Sequence, residues 1–149
     1  MNHRNCICFS VAMLLVVLSF GQHTSSQNIS INSHIDGTLV SSTQATSLAI
    51  LIGDSGPVDR NGNQGYNRSN HLKKLADSLI AYNIASFRYD KRVVKQLHQG
   101  SAATDILFDD YVEDAKDVIR YFNQQESFES LVIIGHGQGA PQRPCESQC

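Results

Sequence analysis

Residues 131–139 read LVIIGHGQG, and this stretch decides the fold. Four apolar residues in a row are followed at once by glycine at every second position, Gly135, Gly137 and Gly139. A short apolar run is typical of a strand buried on both faces, and the glycines allow the strand and the next segment to approach closely. The stretch therefore predicts a buried strand, Leu131–Ile134, that ends in a sharp turn before a helix. A plain glycine turn without a chemical role is the alternative.

Upstream of this turn, short apolar runs alternate with segments of helical periodicity. Strands are predicted at Asn28–Asn32, Gly37–Val40, Leu48–Ile52 and Ile84–Tyr89, and helices at Asn70–Tyr82 and Asp109–Asn123. Asp36-Gly37 is a hairpin signal between the first two strands, and residues 93–104 show no regular pattern. A hairpin followed by strand–helix–strand–helix–strand predicts an α/β fold: a mostly parallel sheet with helices on both faces, in three layers.

The second predicted helix has the clearer apolar stripe. It consists of Tyr111, Val112, Ala115, Val118, Ile119 and Phe122. Spacings of three and four residues place these side chains on one helix face, which would pack on the sheet. Asp109 or Asp110 is expected to cap this helix, and Ser69 or Asn70 the first one, because short polar side chains accept hydrogen bonds from the free N–H groups of the first turn.

The N-terminus has the three-part pattern of a secretory signal peptide. A polar start that contains Arg4 precedes an apolar run, 6–20, which is short for a membrane span. Small residues then precede polar Gln22. We therefore expect residues 1–21 to be a signal peptide cleaved near Gly21, and the protein to be secreted or periplasmic; an uncleaved signal anchor is the alternative.

The rest of the chain is predicted to contain a flexible polar start at 22–28, a partial domain at 29–140 and an unrelated tail at 141–149. The tail has no apolar periodicity, and Pro144 would cost about 3 kcal/mol inside a helix launched by the glycine turn. Two of the four cysteines, Cys145 and Cys149, would remain after cleavage. An oxidising compartment would permit a disulfide between them.

Composition excludes several classes of protein. Of 149 residues, 41% are hydrophobic and 17% charged, which is typical of a globular domain rather than a disordered chain. The net charge of -2 and the absence of a Lys/Arg run argue against a nucleic-acid partner. There is no phosphate-binding loop motif or zinc-ligand spacing, so no cofactor or metal is predicted, nor any membrane contact after signal cleavage. The oligomeric state is left open.

Residues 135–139 have the frame of the G-x-S-x-G turn that presents a catalytic nucleophile. In that turn a strand leads directly into a helix, and the central residue stands above the sheet, where nearby N–H groups stabilise an oxyanion. The central residue here is Gly137, which has neither a hydroxyl nor a thiol. The frame therefore predicts a nucleophile turn from which the nucleophile is missing.

Four segments together resemble the α/β-hydrolase superfamily, especially secreted serine hydrolases related to serine aminopeptidases and to acyl-thioester or acetylxylan-type esterases. The segments are Ile52–Asn63, Arg88–Arg92, Phe108–Ala115 and Ile134–Gly139, all within residues 30–140. The resemblance implies the N-terminal part of an α/β-hydrolase fold, left incomplete. It also implies an ancestral serine-nucleophile hydrolysis of an ester, thioester or peptide, with a small-molecule acyl substrate.

The resemblance also implies roles for individual residues. Gly137 takes the nucleophile position, and the turn around it is formed by Gly135, His136 and Gly139. The N–H of Gln138 would be one oxyanion donor, and the second would come from the loop that contains Asp54 and Ser55. Asp54 stands where a small residue is usual, and its carboxylate would disfavour an oxyanion if it pointed inward. The family's acid and histidine follow the nucleophile, and we expect the residues after Ala140 not to provide them.

Three functional hypotheses remain open. The first is an inactivated serine-hydrolase relative, the second a non-catalytic binding protein on the same scaffold, and the third an active hydrolase with a substitute nucleophile such as Ser55.

Structural roles are expected for the other polar residues. His136 is expected to pack against a neighbouring strand, and the acidic start of the second helix to be solvated. Surface positions are expected for His34, His71 and His98. Ion pairs that brace the loops are expected among Asp59, Asp90, Arg60, Arg88 and Arg92.

Overall fold

The computed structural model describes residues 23–100 and 105–137, and within them the chain forms one five-stranded sheet and three helices. The strands are β1 (Thr24–Ser30), β2 (Asp36–Ser42), β3 (Ser47–Ile52), β4 (Ile84–Tyr89) and β5 (Ser130–Gly135). The helices are α1 (His71–Ile80), α2 (Arg92–His98) and α3 (Phe108–Gln125). Outside the described residues lie the predicted signal peptide at 1–21, Gln138, Gly139, and the predicted tail at 141–149 with its two cysteines.

The described strands lie in the order β1-β2-β4-β3-β5. β3 pairs in parallel with both β4 and β5, whereas β2 is antiparallel to both β1 and β4. The α/β class is thus confirmed, but the prediction of a mostly parallel sheet is wrong. The sheet is mixed because the N-terminal hairpin adds its two strands to the edge of β4 and supplies two antiparallel pairings.

β3 is the centre of the core, because it has a strand on each side and a helix on each face. Leu48 and Ile50 are fully buried in the cluster that contains Val118 and Phe122 of α3. The alternate residues of β3, Ala49 and Leu51, belong to a second cluster with Leu72 and Ala76 of α1. Successive side chains of a strand point to opposite faces, so α1 and α3 cover opposite faces of the sheet and give three layers.

The chain reverses its direction of travel across the sheet at β3. From β3 it passes through α1 to β4 on one side, and from β4 it passes through α3 to β5 on the other side. Between β3 and β5 the sheet therefore has a topological switch point. In open α/β sheets, ligands bind in the crevice outside the carboxyl ends of the strands at such a point.

The turn of the N-terminal hairpin is not at Asp36-Gly37, as the sequence pattern predicts, because these residues begin β2. The turn lies earlier and is organised by Asn32, whose side-chain oxygen accepts hydrogen bonds from the N–H groups of His34 and Ile35, at 2.8 and 2.9 Å. β1 correspondingly begins at Thr24, so most of the 22–28 segment, predicted to be flexible, is strand. Its backbone pairs with β2, which the polar side chains do not signal.

Gly37 is required by packing rather than by a turn. It lies opposite Tyr89 in the pairing of β2 with β4, and a Cβ at this position would overlap the Phe87 ring. Phe87 is fully buried and meets the ring of Phe122 edge-on, with 4.9 Å between the ring centroids. The missing side chain at Gly37 therefore makes room for an aromatic residue at the centre of the core.

The prediction that residues 93–104 are irregular is wrong in its first half, because α2 occupies Arg92–His98. Salt bridges to distant residues hold this helix. Arg92 donates to both carboxylate oxygens of Asp114 on α3, at 2.6 and 2.8 Å, and Lys95 lies 2.6 Å from Asp36 on β2. A seven-residue helix is marginal in isolation, and these non-local contacts are invisible in a local apolar pattern.

The apolar run at β5 predicts a strand buried on both faces, and this prediction is wrong. β5 is an edge strand, and among the described residues no strand pairs with its outer side. Val132 is 51% exposed and Ile133 40% exposed, although each pairs with a buried residue of β3. The composition of β5 is that of a core strand. In the described chain, however, β5 pairs on one side only, with β3, and two of its apolar side chains remain exposed.

Candidate functional site

Three loops meet at the carboxyl ends of the parallel strands. Asp54 follows β3, Lys91 follows β4, and His136-Gly137 follows β5. The His136 N–H donates to the carbonyl of Ile52 at 3.0 Å, which extends the β3–β5 pairing up to the turn. The backbone therefore holds the turn after β5 beside the loop after β3, at the switch point of the sheet.

Gly137 has the left-handed backbone conformation that favours glycine, with φ of 58°. A Cβ built at this position would overlap the carboxylate of Asp54. Two independent constraints, the backbone angle and the space above the Cα atom, thus disfavour any side chain here. The position of the expected nucleophile contains a carboxylate that belongs to the loop after β3.

Each oxygen of the Asp54 carboxylate has a neighbouring group. Its Oδ1 accepts a hydrogen bond from the N–H of Ser55 at 2.6 Å, and its Oδ2 lies 3.7 Å from Nδ1 of His136. The Ser55 N–H is one of the two candidates for the single oxyanion donor that this loop is expected to provide, so the carboxylate already occupies a group that a substrate oxyanion would need. The inward orientation that the sequence raises as a possibility for Asp54 is the one observed.

Lys91 is the buried cation of the site, with only 7% of its surface exposed. Its Nζ donates to the backbone carbonyl of Asp54, and it lies 5.2 Å from the centroid of the Tyr111 ring. Burial lowers the pKa of the Lys91 ammonium, and the negative charge of Asp54 acts in the opposite direction. Lys91 therefore fixes the backbone of Asp54 and adds a positive charge near its carboxylate.

His71, at the first position of α1, also belongs to the site. Its ring lies 5.0 Å from the ring of His136, and its Nδ1 lies 2.8 Å from the Ser69 hydroxyl oxygen. The Ser69 hydroxyl donates its only proton to the carbonyl of Gly62, at 3.1 Å. Nδ1 of His71 is then the donor to Ser69, and Nε2 is buried without a hydrogen-bond partner among the described residues.

Salt bridges brace the loops around the site, partly as predicted. The Arg60 side chain binds one carboxylate oxygen of Asp90 through Nε and Nη2, at 2.8 and 2.5 Å. The backbone N–H of Arg60 donates to the other oxygen of the same carboxylate. Arg92 pairs with α3 instead, and Arg88 donates to the side-chain oxygen of Asn61, at 3.3 Å. Burial lowers the pKa of the Arg88 guanidinium.

The structure brings together most of the residues that the sequence pattern indicates. Five of them lie at the carboxyl ends of the parallel strands: Asp54, Ser55, Gly135, His136 and Gly137. Gln138 and Gly139 lie outside the described residues. His136 does not pack as expected, because its side chain is 60% exposed.

Sequence reasoning misses three residues of the site, Lys91, Ser69 and His71. Lys91 lies in the Arg88–Arg92 segment, directly after a predicted strand, and its position at the carboxyl end of that strand is the signal that could have assigned it to the site. The sequence pattern indicates Ser69 only as a helix cap and His71 only as a surface residue. The actual N-cap of α1 is Asn70, without a side-chain capping bond.

No protein-family model matches the sequence, and no curated protein matches it significantly. Across the described ranges, no group of three or more His, Cys, Asp or Glu side chains could hold a metal ion. No helix in this part of the chain is long and apolar enough to cross a membrane.

Proposed function

We propose that the protein is a catalytically inactive relative of the α/β-hydrolases, whose ancestral reaction was serine-nucleophile hydrolysis of an ester, thioester or peptide. The observation that carries the proposal is Gly137. It occupies the central position of a G-x-S-x-G frame after a parallel strand, at the topological switch point, and it has no side chain. In serine hydrolases, loss of the nucleophile removes about 10⁶-fold in kcat.

The surroundings of Gly137 support inactivity independently of the missing hydroxyl. The Asp54 carboxylate occupies the space of a side chain at position 137, and it also accepts from the Ser55 N–H. Negative charge at this point opposes an oxyanion in the transition state, which preorganised donors normally stabilise. A serine at position 137 would therefore meet an obstructed and electrostatically unfavourable site.

Ester turnover tests the proposal. With p-nitrophenyl acetate, we expect neither the wild-type chain nor Gly137→Ser to hydrolyse substrate above the buffer rate. Gly137→Ala is the matched control, because it adds a Cβ without the hydroxyl. Turnover by Gly137→Ser that Gly137→Ala lacks would show that the rest of the catalytic machinery is present, and would contradict the proposal.

An active hydrolase with a different nucleophile is the second candidate, and Ser69 is the observation that favours it. A serine hydroxyl within 2.8 Å of an imidazole is the pairing of a nucleophile with its base. The hydrogen bond from Ser69 to the Gly62 carbonyl argues against this role, because it directs the hydroxyl proton away from His71. Modification of Ser69 by a fluorophosphonate, abolished in Ser69→Ala, would favour this candidate over inactivity.

A non-catalytic binding role is compatible with the same scaffold. Export by residues 1–21 would place such a protein outside the cytoplasm, and N-terminal sequencing of the exported chain tests cleavage near Gly21. A mature chain that still begins at Met1 would show that the segment is not removed.

A further inference from the structure

We propose that the region around Asp54, at the carboxyl ends of the parallel strands, is a binding site for a small carboxylate, and that the side chain of Asp54 itself occupies this site. In this site the carboxylate accepts a hydrogen bond from the Ser55 N–H and lies beside the His136 ring, and the Lys91 ammonium, which donates to the Asp54 backbone carbonyl, adds a positive charge. The proposal rests on these contacts alone, so it does not depend on whether the chain is related to hydrolases.

The donors of this site suit an anion. The Ser55 N–H approaches Asp54 Oδ1 at 2.6 Å, a short distance that is typical of a charge-assisted hydrogen bond. His136 Nδ1 lies 3.7 Å from the other carboxylate oxygen. Lys91 is only 7% exposed, and its charge interacts with that of Asp54. A buried ammonium attracts an anion more strongly than a solvated one.

Groups from three neighbouring strands surround Asp54. His136, after β5, lies 3.7 Å from its carboxylate, and Lys91, after β4, donates to its backbone carbonyl. The Asp54 carboxylate lies where a side chain at position 137 would begin, because any Cβ there would overlap it. The carboxylate can therefore take this position only when residue 137 is glycine.

An external ligand can reach this site. The Asp54 side chain is 41% exposed and that of His136 is 60% exposed. A ligand carboxylate of acetate size would compete with the Asp54 side chain for the Ser55 N–H, near the positive charge of Lys91, whose ammonium donates to the Asp54 backbone carbonyl. The internal side chain therefore acts as an autoinhibitory occupant, and its removal is expected to free the site for a carboxylate ligand.

Chemical rescue with acetate tests this proposal in the full chain. In Asp54→Ala, about 100 mM sodium acetate is expected to raise Tm by roughly 3–5 °C relative to sodium chloride at the same ionic strength. Acetate should also shift the Ser55 amide resonance in this variant, with saturation. Wild type should show neither effect, because Asp54 occupies the site.

Three variants provide the controls. Asp77→Ala removes an exposed carboxylate that pairs with Lys73 on α1, and it should show no specific response to acetate. Asp54→Asn keeps the volume of the side chain, so it should block acetate where Asp54→Ala admits it. Lys91→Met in the Asp54→Ala background should abolish the rescue.

Two results would overturn the proposal. One is an acetate response of equal size in wild type, Asp54→Ala and Asp77→Ala, which would show a general salt effect. The other is a folded Asp54→Ala whose Ser55 amide does not respond to acetate. Neither result bears on ester turnover, so failure of this proposal can be distinguished from failure of the proposed function.

Discussion

At the scale of single residues, Gly137 and Asp54 form one unit although they are far apart in sequence. The glycine frame is visible in the sequence, because glycines at alternate positions directly after an apolar run are typical of a tight turn at the end of a strand. The position of the Asp54 carboxylate above Gly137 cannot be predicted from the sequence, because its orientation depends on Lys91 and on the loop after β3. Side-chain orientation across loops is a tertiary property, and no local pattern determines it.

A double-mutant cycle measures the coupling of these two residues. Gly137→Ala is expected to lower the free energy of unfolding by about 2–4 kcal/mol, because it combines backbone strain with overlap of the Asp54 carboxylate. In the Asp54→Ala background only the strain should remain, which gives a coupling of about 1–2 kcal/mol in urea unfolding.

Gly65→Ala is the matched control for strain in this cycle. Gly65 has φ of 56°, and a Cβ there would meet no atom within 4 Å. Its substitution should cost about 1 kcal/mol in either background. Additivity of Gly137→Ala and Asp54→Ala would show that the carboxylate does not occupy the space at position 137.

At the scale of elements, the strongly periodic segments are predicted well from the sequence. β4 has the predicted bounds, and β3, α1 and α3 differ from the predicted bounds by at most two residues at each end. α2 escapes prediction because its helix is fixed by charges on β2 and α3. The hairpin turn is misplaced because Asp36-Gly37 has the local signature of a turn, whereas the hydrogen bonds of the Asn32 side chain define the real one.

The salt bridge between α2 and α3 should contribute strongly to stability. Asp114 is 2% exposed and receives two hydrogen bonds from Arg92, which also approaches Asp110 at 2.8 Å. The hydrogen bond to Asp114 raises the pKa of the Arg92 guanidinium. Asp114→Ala leaves a partly buried cation without its main partner and is expected to cost about 2–4 kcal/mol in urea unfolding.

Glu113→Ala is the control on the same helix. Glu113 pairs with Lys116, and both side chains are more than half exposed, so its removal should change stability by less than about 0.5 kcal/mol. Equal effects of the two substitutions would contradict the role given to the Arg92 salt bridge.

The contact of α2 with β2 predicts a pH dependence. The hydrogen bond from Lys95 lowers the pKa of the Asp36 carboxyl below its ordinary value. The resulting stabilisation is present above the unfolded-state pKa of about 4 and is lost as the pH falls through the lowered folded-state pKa. It should stay below about 1 kcal/mol, because the Asp36 side chain is 37% exposed.

Lys95→Met tests this contact. Wild type should be more stable than the variant at about pH 6, and the difference should disappear as Asp36 is protonated below about pH 4. A difference that is the same in acid and near neutrality would assign the effect to packing of the Lys95 chain rather than to its charge.

At the scale of the whole molecule, the two edges of the described sheet differ in chemistry. β1 is polar and exposed, whereas the outer edge of β5 presents apolar, uncharged residues. Exposed apolar edges favour association between sheets, and natural edges usually have a charge that prevents it. The sequence predicts β5 as an interior strand, and its composition is indeed that of one; only the arrangement of the described chain shows which edge is open.

A single charge on β5 should therefore reduce self-association. Val132→Lys is expected to lower the aggregated fraction in light scattering at a given concentration, whereas Gln27→Lys on the polar edge should have little effect. Equal reductions from both substitutions would assign the effect to net charge instead of to the β5 edge.

The central claim is that the turn after β5 has no nucleophile and that no other residue replaces it. The most direct measurement is the intact mass of the full chain after incubation with a fluorophosphonate, which modifies activated serines irrespective of the substrate. We predict no mass increase at reagent concentrations that fully modify an active serine hydrolase. A stoichiometric adduct on any serine, whether Ser55, Ser69 or another, would contradict the claim.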